Sequence, residues 1–171
     1  MKAGWCRAAS ASDDRLQSGT AAVLVALFLP VLMGCFLLLT ELGWQLVVHG
    51  NLRAAADLAA LAAAQCVALE DLAAGQIRLI PEAVHAEAVR FLHENARCNP
   101  FLADDWSQYR IRVSVLNASV ASPERDPWTG ETVDAPTVCL FVSHRVHSPT
   151  RLFPGRWIHV HCHASLAIRS R

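Results

Sequence analysis

Hydrophobic and polar positions change their period several times along the chain. No charge occurs between Arg15 and Glu41, and residues 20–40 read TAAVLVALFLPVLMGCFLLLT, apolar on every face. A helix rising about 1.5 Å per residue needs about 20 such residues to cross a hydrocarbon core about 30 Å thick. The pattern predicts one transmembrane helix, opened by Thr20 and closed by Thr40. Pro30 removes a backbone bond at mid-span and should kink it. The stretch exceeds the apolar core of about 7–15 residues typical of a secretory signal. Leu32-Met33-Gly34-Cys35 resembles a lipobox, but the chain continues FLLL after the cysteine instead of turning polar, which opposes lipidation.

Residues 41–75 keep a helical character. Leu52, Leu58, Leu61, Leu69 and Leu72 stand among alanines, the best helix formers. Alanines on several faces suit close lateral packing against other helices. Arg53 and Asp57 form an i,i+4 pair, Gly50-Asn51 marks a bend or break, and Gly75 ends the segment. Pro81 opens a second helix running to about Arg97, with Val84, Ala88, Phe91 and Leu92 as its apolar stripe; Asn99-Pro100 stops it.

Three strands follow, each with a period of two. Tyr109, Ile111, Val113 and Val115 share one face of the first, and Val138, Leu140, Val142 and Val146 one face of the second. Ile158, Val160, Cys162, Ala164, Leu166 and Ile168 share one face of the third. Residues 122–136 read as a long exposed loop. The expected fold class is α+β: a transmembrane helix continuing into an Ala-rich helix, a second helix, and a three-stranded antiparallel sheet. The expected divisions are a tail at 1–19, the span at 20–40, a helical stem at 41–75 and an α+β domain at 76–171.

Charge decides orientation and excludes one class of partner. Lys2, Arg7 and Arg15 precede the span, and no cation follows it until Arg53, so the positive-inside rule places the N-terminus in the cytoplasm. Fifteen Lys+Arg balance fifteen Asp+Glu, which leaves no basic face for nucleic acid.

Candidate chemistry is sparse. His93-Glu94 begins like a zinc helix, but Arg97 stands where the second histidine belongs, and a guanidinium cannot ligate zinc. His85-Ala86-Glu87 lacks the PCxxC that a zinc deaminase needs. No phosphate loop or nucleophile elbow occurs, so neither an enzyme nor a small-molecule substrate or cofactor is expected. His159, His161 and His163 share one strand face with neighbours about 6–7 Å apart, a weak metal candidate without a ligand from a partner strand. Cys66, Cys98, Cys139 and Cys162 lie beyond the span, where an oxidising compartment favours disulfides. Alternation puts Cys162 on the apolar face of its strand and Cys139 opposite the apolar face of its own. Direct pairing of these two is disfavoured, and Cys98 is the favoured partner of Cys162. Cys139 is then free or paired with Cys66.

Read together, QSGTAAVLVALFLPVLMG, TELG and NLRAAADLAALAAAQ resemble the TadE/TadG-like proteins of the bacterial Tad (Flp) pilus. The shared features are Gly19 before the apolar helix, Leu29-Pro30 within it, Glu41 two residues before Gly43 at its end, and Asp57 in the alanine run. Leu24 stands where cleaved prepilins carry glutamate, which places the chain closer to the TadG-like branch. The resemblance implies a pilin-like structural or assembly component anchored singly in the bacterial inner membrane, with its C-terminal domain in the periplasm. Its partners would be membrane lipid and other pilus-assembly proteins or pilins, met by helix packing with Glu41, Gly43 and Asp57 as assembly contacts. A membrane-anchored periplasmic binding or sensing module, metal-linked through the histidine strand, is the alternative.

Overall fold

The computed structural model describes residues 6–73, 75–102, 105–150 and 154–166, with side-chain surroundings from residue 22 onward. Its architecture is α+β, as the periodicity predicts. Helix α1, Cys6–Ala63, is followed by the short α2, Leu69–Ala73, and by α3, Pro81–Cys98. Strand β1, Tyr109–Asn117, precedes two short strands, β2 at Glu124–Arg125 and β3 at Thr132–Val133. The long strands β4, Pro136–Val146, and β5, Arg156–Ser165, are the last of the described elements. The chain divides into two compact units between Gly43 and Trp44.

The first unit is the N-terminal part of α1. Its described surface is apolar all round: Val23, Leu27, Phe28, Leu32, Phe36 and Leu39 are all more than half exposed. The segment from Ala22 onward is the one described helix long and apolar enough to cross a membrane. The helix continues through Pro30.

In the second unit, β1, β4 and β5 form an antiparallel sheet with β4 in the centre. Alternation assigns its faces as the sequence predicts. Val113, Leu140 and Cys162 are register partners on the inner face, and Leu140 is fully buried. The inner face shares one core cluster with Leu52, Ala56 and Ala60 of α1 and Val84, Ala88 and Leu92 of α3. These helix positions recur at spacings of four, so each helix turns one narrow stripe to the sheet.

Two helical expectations change. First, α1 runs unbroken through Gly50-Asn51, and Asn51 is used rather than disruptive. Its Oδ1 accepts from Asn99 Nδ2 at 2.8 Å, which ties the end of α3 to α1. Second, α1 stops at Ala63, short of the alanine run's end. The Val67 segment pairs with Leu79, Ala68 N–H donates to the Arg78 carbonyl at 2.8 Å, and Ile80 N–H donates to Cys66 at 3.1 Å. Asn117 brackets Leu79 from β1, accepting its N–H at 2.8 Å and donating to its carbonyl at 3.3 Å. Tertiary hydrogen bonds thus override alanine's helical preference, a weak prior wherever the backbone finds other partners.

The region read as an exposed loop is a hairpin, with Glu124 opposite Val133 and Arg125 opposite Thr132. Asp126, at its turn, is buried. Asp126 Oδ1 accepts the Trp128 N–H at 2.8 Å and Oδ2 the Thr129 hydroxyl at 2.9 Å. Gly130 closes the turn at φ +73°, a conformation that glycine adopts without strain.

Candidate functional site

Two places concentrate the residues singled out by sequence: helix α1 and the outer face of the sheet.

On α1, the side chain of Thr20 lies outside the described surroundings, and Pro30 lies within the uninterrupted helix. The Thr40 hydroxyl donates to the Phe36 carbonyl at 2.9 Å, the usual way a helix accommodates a hydroxyl on an apolar surface. Glu41 is only 7% exposed, whereas Leu42, Gly43 and Leu46 are open to solvent. The exposed Leu42 and Leu46 make the surface that follows the span apolar. Asp57 is half-buried, 3.9 Å from Arg53 and close to the Cys162 thiol. The alanine stripe formed by Ala55, Ala56, Ala59, Ala60, Ala63 and Ala64 is buried in the domain core, not displayed for lateral packing.

On the outer face of the sheet, His159, His161 and His163 point the same way, as alternation requires. Ser143, Phe141 and Cys139 of β4 stand opposite them in register. His159 Nδ1 is 2.8 Å from the Ser143 hydroxyl. The partner-strand group that the sequence could not locate beside the histidines is the Cys139 thiol. Asp126 arrives from the hairpin, with its Oδ2 3.0 Å from His161 Nε2. The ring is turned so that this approach is not a hydrogen bond, and among the described residues the buried Nε2 has no hydrogen-bond partner. Trp128 stands over the cluster, its ring 5.8 Å from His161 and 5.9 Å from Phe141.

The electrostatics follow from burial. Burial opposes ionisation of Asp126, but the Trp128 amide, the Thr129 hydroxyl and His161 outweigh it and hold the carboxyl below its usual value. Burial pushes the Cys139 thiol up to about 12, and the adjacent Asp126 adds to the effect. Asp126 and Trp128 escaped the sequence reading. The Asp-Pro-Trp-Thr-Gly turn signal is present, but two-residue strands carry no period to mark a hairpin.

The remaining cysteines are dispersed. Cys162 is buried on the inner face, its Sγ 3.9 Å from the Arg53 carbonyl; burial, with Asp57, pushes its thiol up to about 12. Cys98 is exposed at the end of α3, and Cys66 is half-buried just after α1. Cys35, Cys66, Cys98, Cys139 and Cys162 are free thiols, so neither the Cys98–Cys162 nor the Cys66–Cys139 pairing is formed.

His144 lies on the inner face of β4, opposite to the face that carries His159, His161 and His163. It is buried and stacks on Tyr109 at 4.4 Å, which in turn stacks on Trp106 at 4.9 Å. Burial holds its pKa below the ordinary histidine value; a Gln108 backbone contact opposes this and His147 adds to it. The unfolded chain takes up this proton near pH 6.5 and the folded chain at lower pH, so the contribution is complete above about 6.5 and lost as pH falls below it. The unfolding midpoint should drop between about pH 7 and pH 5, and drop less in His144→Phe. Equal slopes in the two proteins would remove His144 as the source.

The class that these features define is an α+β domain in one chain with a helix long and apolar enough to cross a membrane. Residues 19–65 match the family model of the putative Flp pilus-assembly TadE/G-like proteins, which supports a Tad pilus-related role. The match does not separate the TadE-like from the TadG-like branch. Neither a curated protein nor a solved structure matches the chain.

Proposed function

We propose that this chain is a membrane-anchored, pilin-like structural or assembly component of a bacterial Tad (Flp) pilus system, closer to the TadG-like branch. The observation that carries this reading is a coincidence in place. The segment matched to the family, residues 19–65, contains the apolar sleeve at residues 22–40 and the exposed Leu42, Gly43 and Leu46 after it. The sleeve sits in inner-membrane lipid, the N-terminus is cytoplasmic, and the α+β domain is periplasmic. Leu42, Gly43 and Leu46 meet helices of other pilus-assembly proteins or pilins, since small and apolar residues let helices approach closely. Such a role needs no reacting group, and we read the chain as non-enzymatic.

A photo-crosslinking residue tests this when placed at Leu46, which is 73% exposed, or at Val120, a domain loop position 84% exposed. In cells expressing the pilus system, Leu46 should crosslink to other membrane-embedded pilus proteins far more than Val120 does. A C-terminal alkaline phosphatase fusion should be active. Equal crosslinking at both sites, or an inactive fusion, would overturn the proposal.

A further inference from the structure

On the outer face of the sheet, Asp126, Cys139 and His161 come from the β2–β3 hairpin, from β4 and from β5. One ligand atom of each lies within 4.8 Å of the other two. We propose that these residues bind one divalent transition-metal ion of borderline softness, with Zn2+ the best match. This goes beyond the pilus reading and does not depend on it.

The donor set is one imidazole nitrogen, one sulfur and one carboxylate oxygen, a mixture that suits Zn2+ better than the hard cations Mg2+ or Ca2+. Zn2+ bonds of about 2.0–2.3 Å in a tetrahedral arrangement place ligand atoms about 3.3–3.8 Å apart. The Asp126–His161 approach of 3.0 Å is already that short, and a ligand atom of Cys139 lies within 4.8 Å of one from each of the other two.

Three further observations favour a ligand over simple packing. The buried His161 Nε2 makes no hydrogen bond in spite of its proximity to Asp126. The Asp126 carboxylate is held from behind by Trp128 and Thr129, as outer-shell partners hold metal-binding carboxylates. Trp128 and Phe141 supply an apolar surround that limits competing water. His163, directly opposite Cys139 and exposed, has its ring 6.1 Å from that of His161. Binding would exchange the Cys139 S–H bond for a sulfur–metal bond and release one proton to solvent. Affinity should therefore rise with pH.

The competing reading is a buried His–Asp contact beside an inert thiol. Titration of the full chain in detergent with Co2+, then Zn2+, separates the two. The expected result is one equivalent of Co2+ with a thiolate-to-cobalt charge-transfer absorption that Zn2+ displaces. Cys139→Ser should lose the band, and His161→Ala, which leaves the hairpin and the thiol in place, should weaken binding at least about tenfold. Cys66→Ser and Cys98→Ser should match the wild type, and circular dichroism should show each variant folded. A wild-type protein without the band, or a band that survives Cys139→Ser, would overturn the proposal.

Discussion

Phe28→Arg combined with Leu32→Arg is expected to move the protein out of the carbonate-resistant membrane fraction. Residues 22–40 contain twelve Leu, Val and Phe residues, worth together about −4 to −7 kcal/mol on the insertion scale at about −0.3 to −0.6 each. An arginine near the helix centre costs about 2.5–3.5 kcal/mol, so two, with the two apolar contributions removed, shift the balance by about 6–8 kcal/mol. That cancels the whole apolar gain, whereas a single arginine leaves part of it. Both positions are more than half exposed and lie four residues apart on one face, so the domain offers them no shelter. Val120→Arg, at an exposed loop position, should fractionate as wild type. Carbonate extraction and the C-terminal phosphatase fusion read the outcome. If the double variant remains embedded, the apolar sleeve is not the anchor.

The second large effect is on the domain core. Leu140 is fully buried at the centre of β4, between Val113 and Cys162 and beneath both helices. Leu140→Ala should destabilise the domain by about 2–5 kcal/mol, through lost burial and a cavity that a neighbouring sheet cannot close. At about 2–4 °C per kcal/mol for a chain of this size, the midpoint should fall by roughly 4–20 °C. Leu61→Ala, on the exposed side of α1, should change stability by less than about 0.5 kcal/mol. Thermal melts followed by near-ultraviolet circular dichroism compare the two directly. A smaller shift for Leu140→Ala than for Leu61→Ala would place the core elsewhere.

What the chain's pattern determines by itself is whatever depends on local period. An apolar run of 21 residues can only be a spanning helix or a buried one, and α1 follows from it. The alternation through Val113, Leu140 and Val160 sets the sheet face, because slipping the register by one residue would expose every one of them. The same alternation separates Cys139 from Cys162 and aligns His159, His161 and His163. Pro81 and Asn99-Pro100 bound α3 through backbone restrictions that need no tertiary partner.

Tertiary structure decided the rest, where two local readings were equally good or no local signal existed. The alanine run could face other subunits or its own sheet, since alanine serves close packing in both; the core of this chain takes it. Glu41 could mark a water interface or a contact, and it is buried. The end of α1 is set by Leu79 and Asn117, which capture backbone that propensity alone would keep helical. Asp126 meets His161 across 35 residues of chain because a hairpin with two-residue strands folds over the sheet, and strands so short carry no periodicity. The histidine strand had no legible partner for the same reason: Cys139 lies on an adjacent strand and Asp126 on a turn. Only the register and the fold-over of the hairpin bring the Asp126, Cys139 and His161 side chains within 4.8 Å of one another.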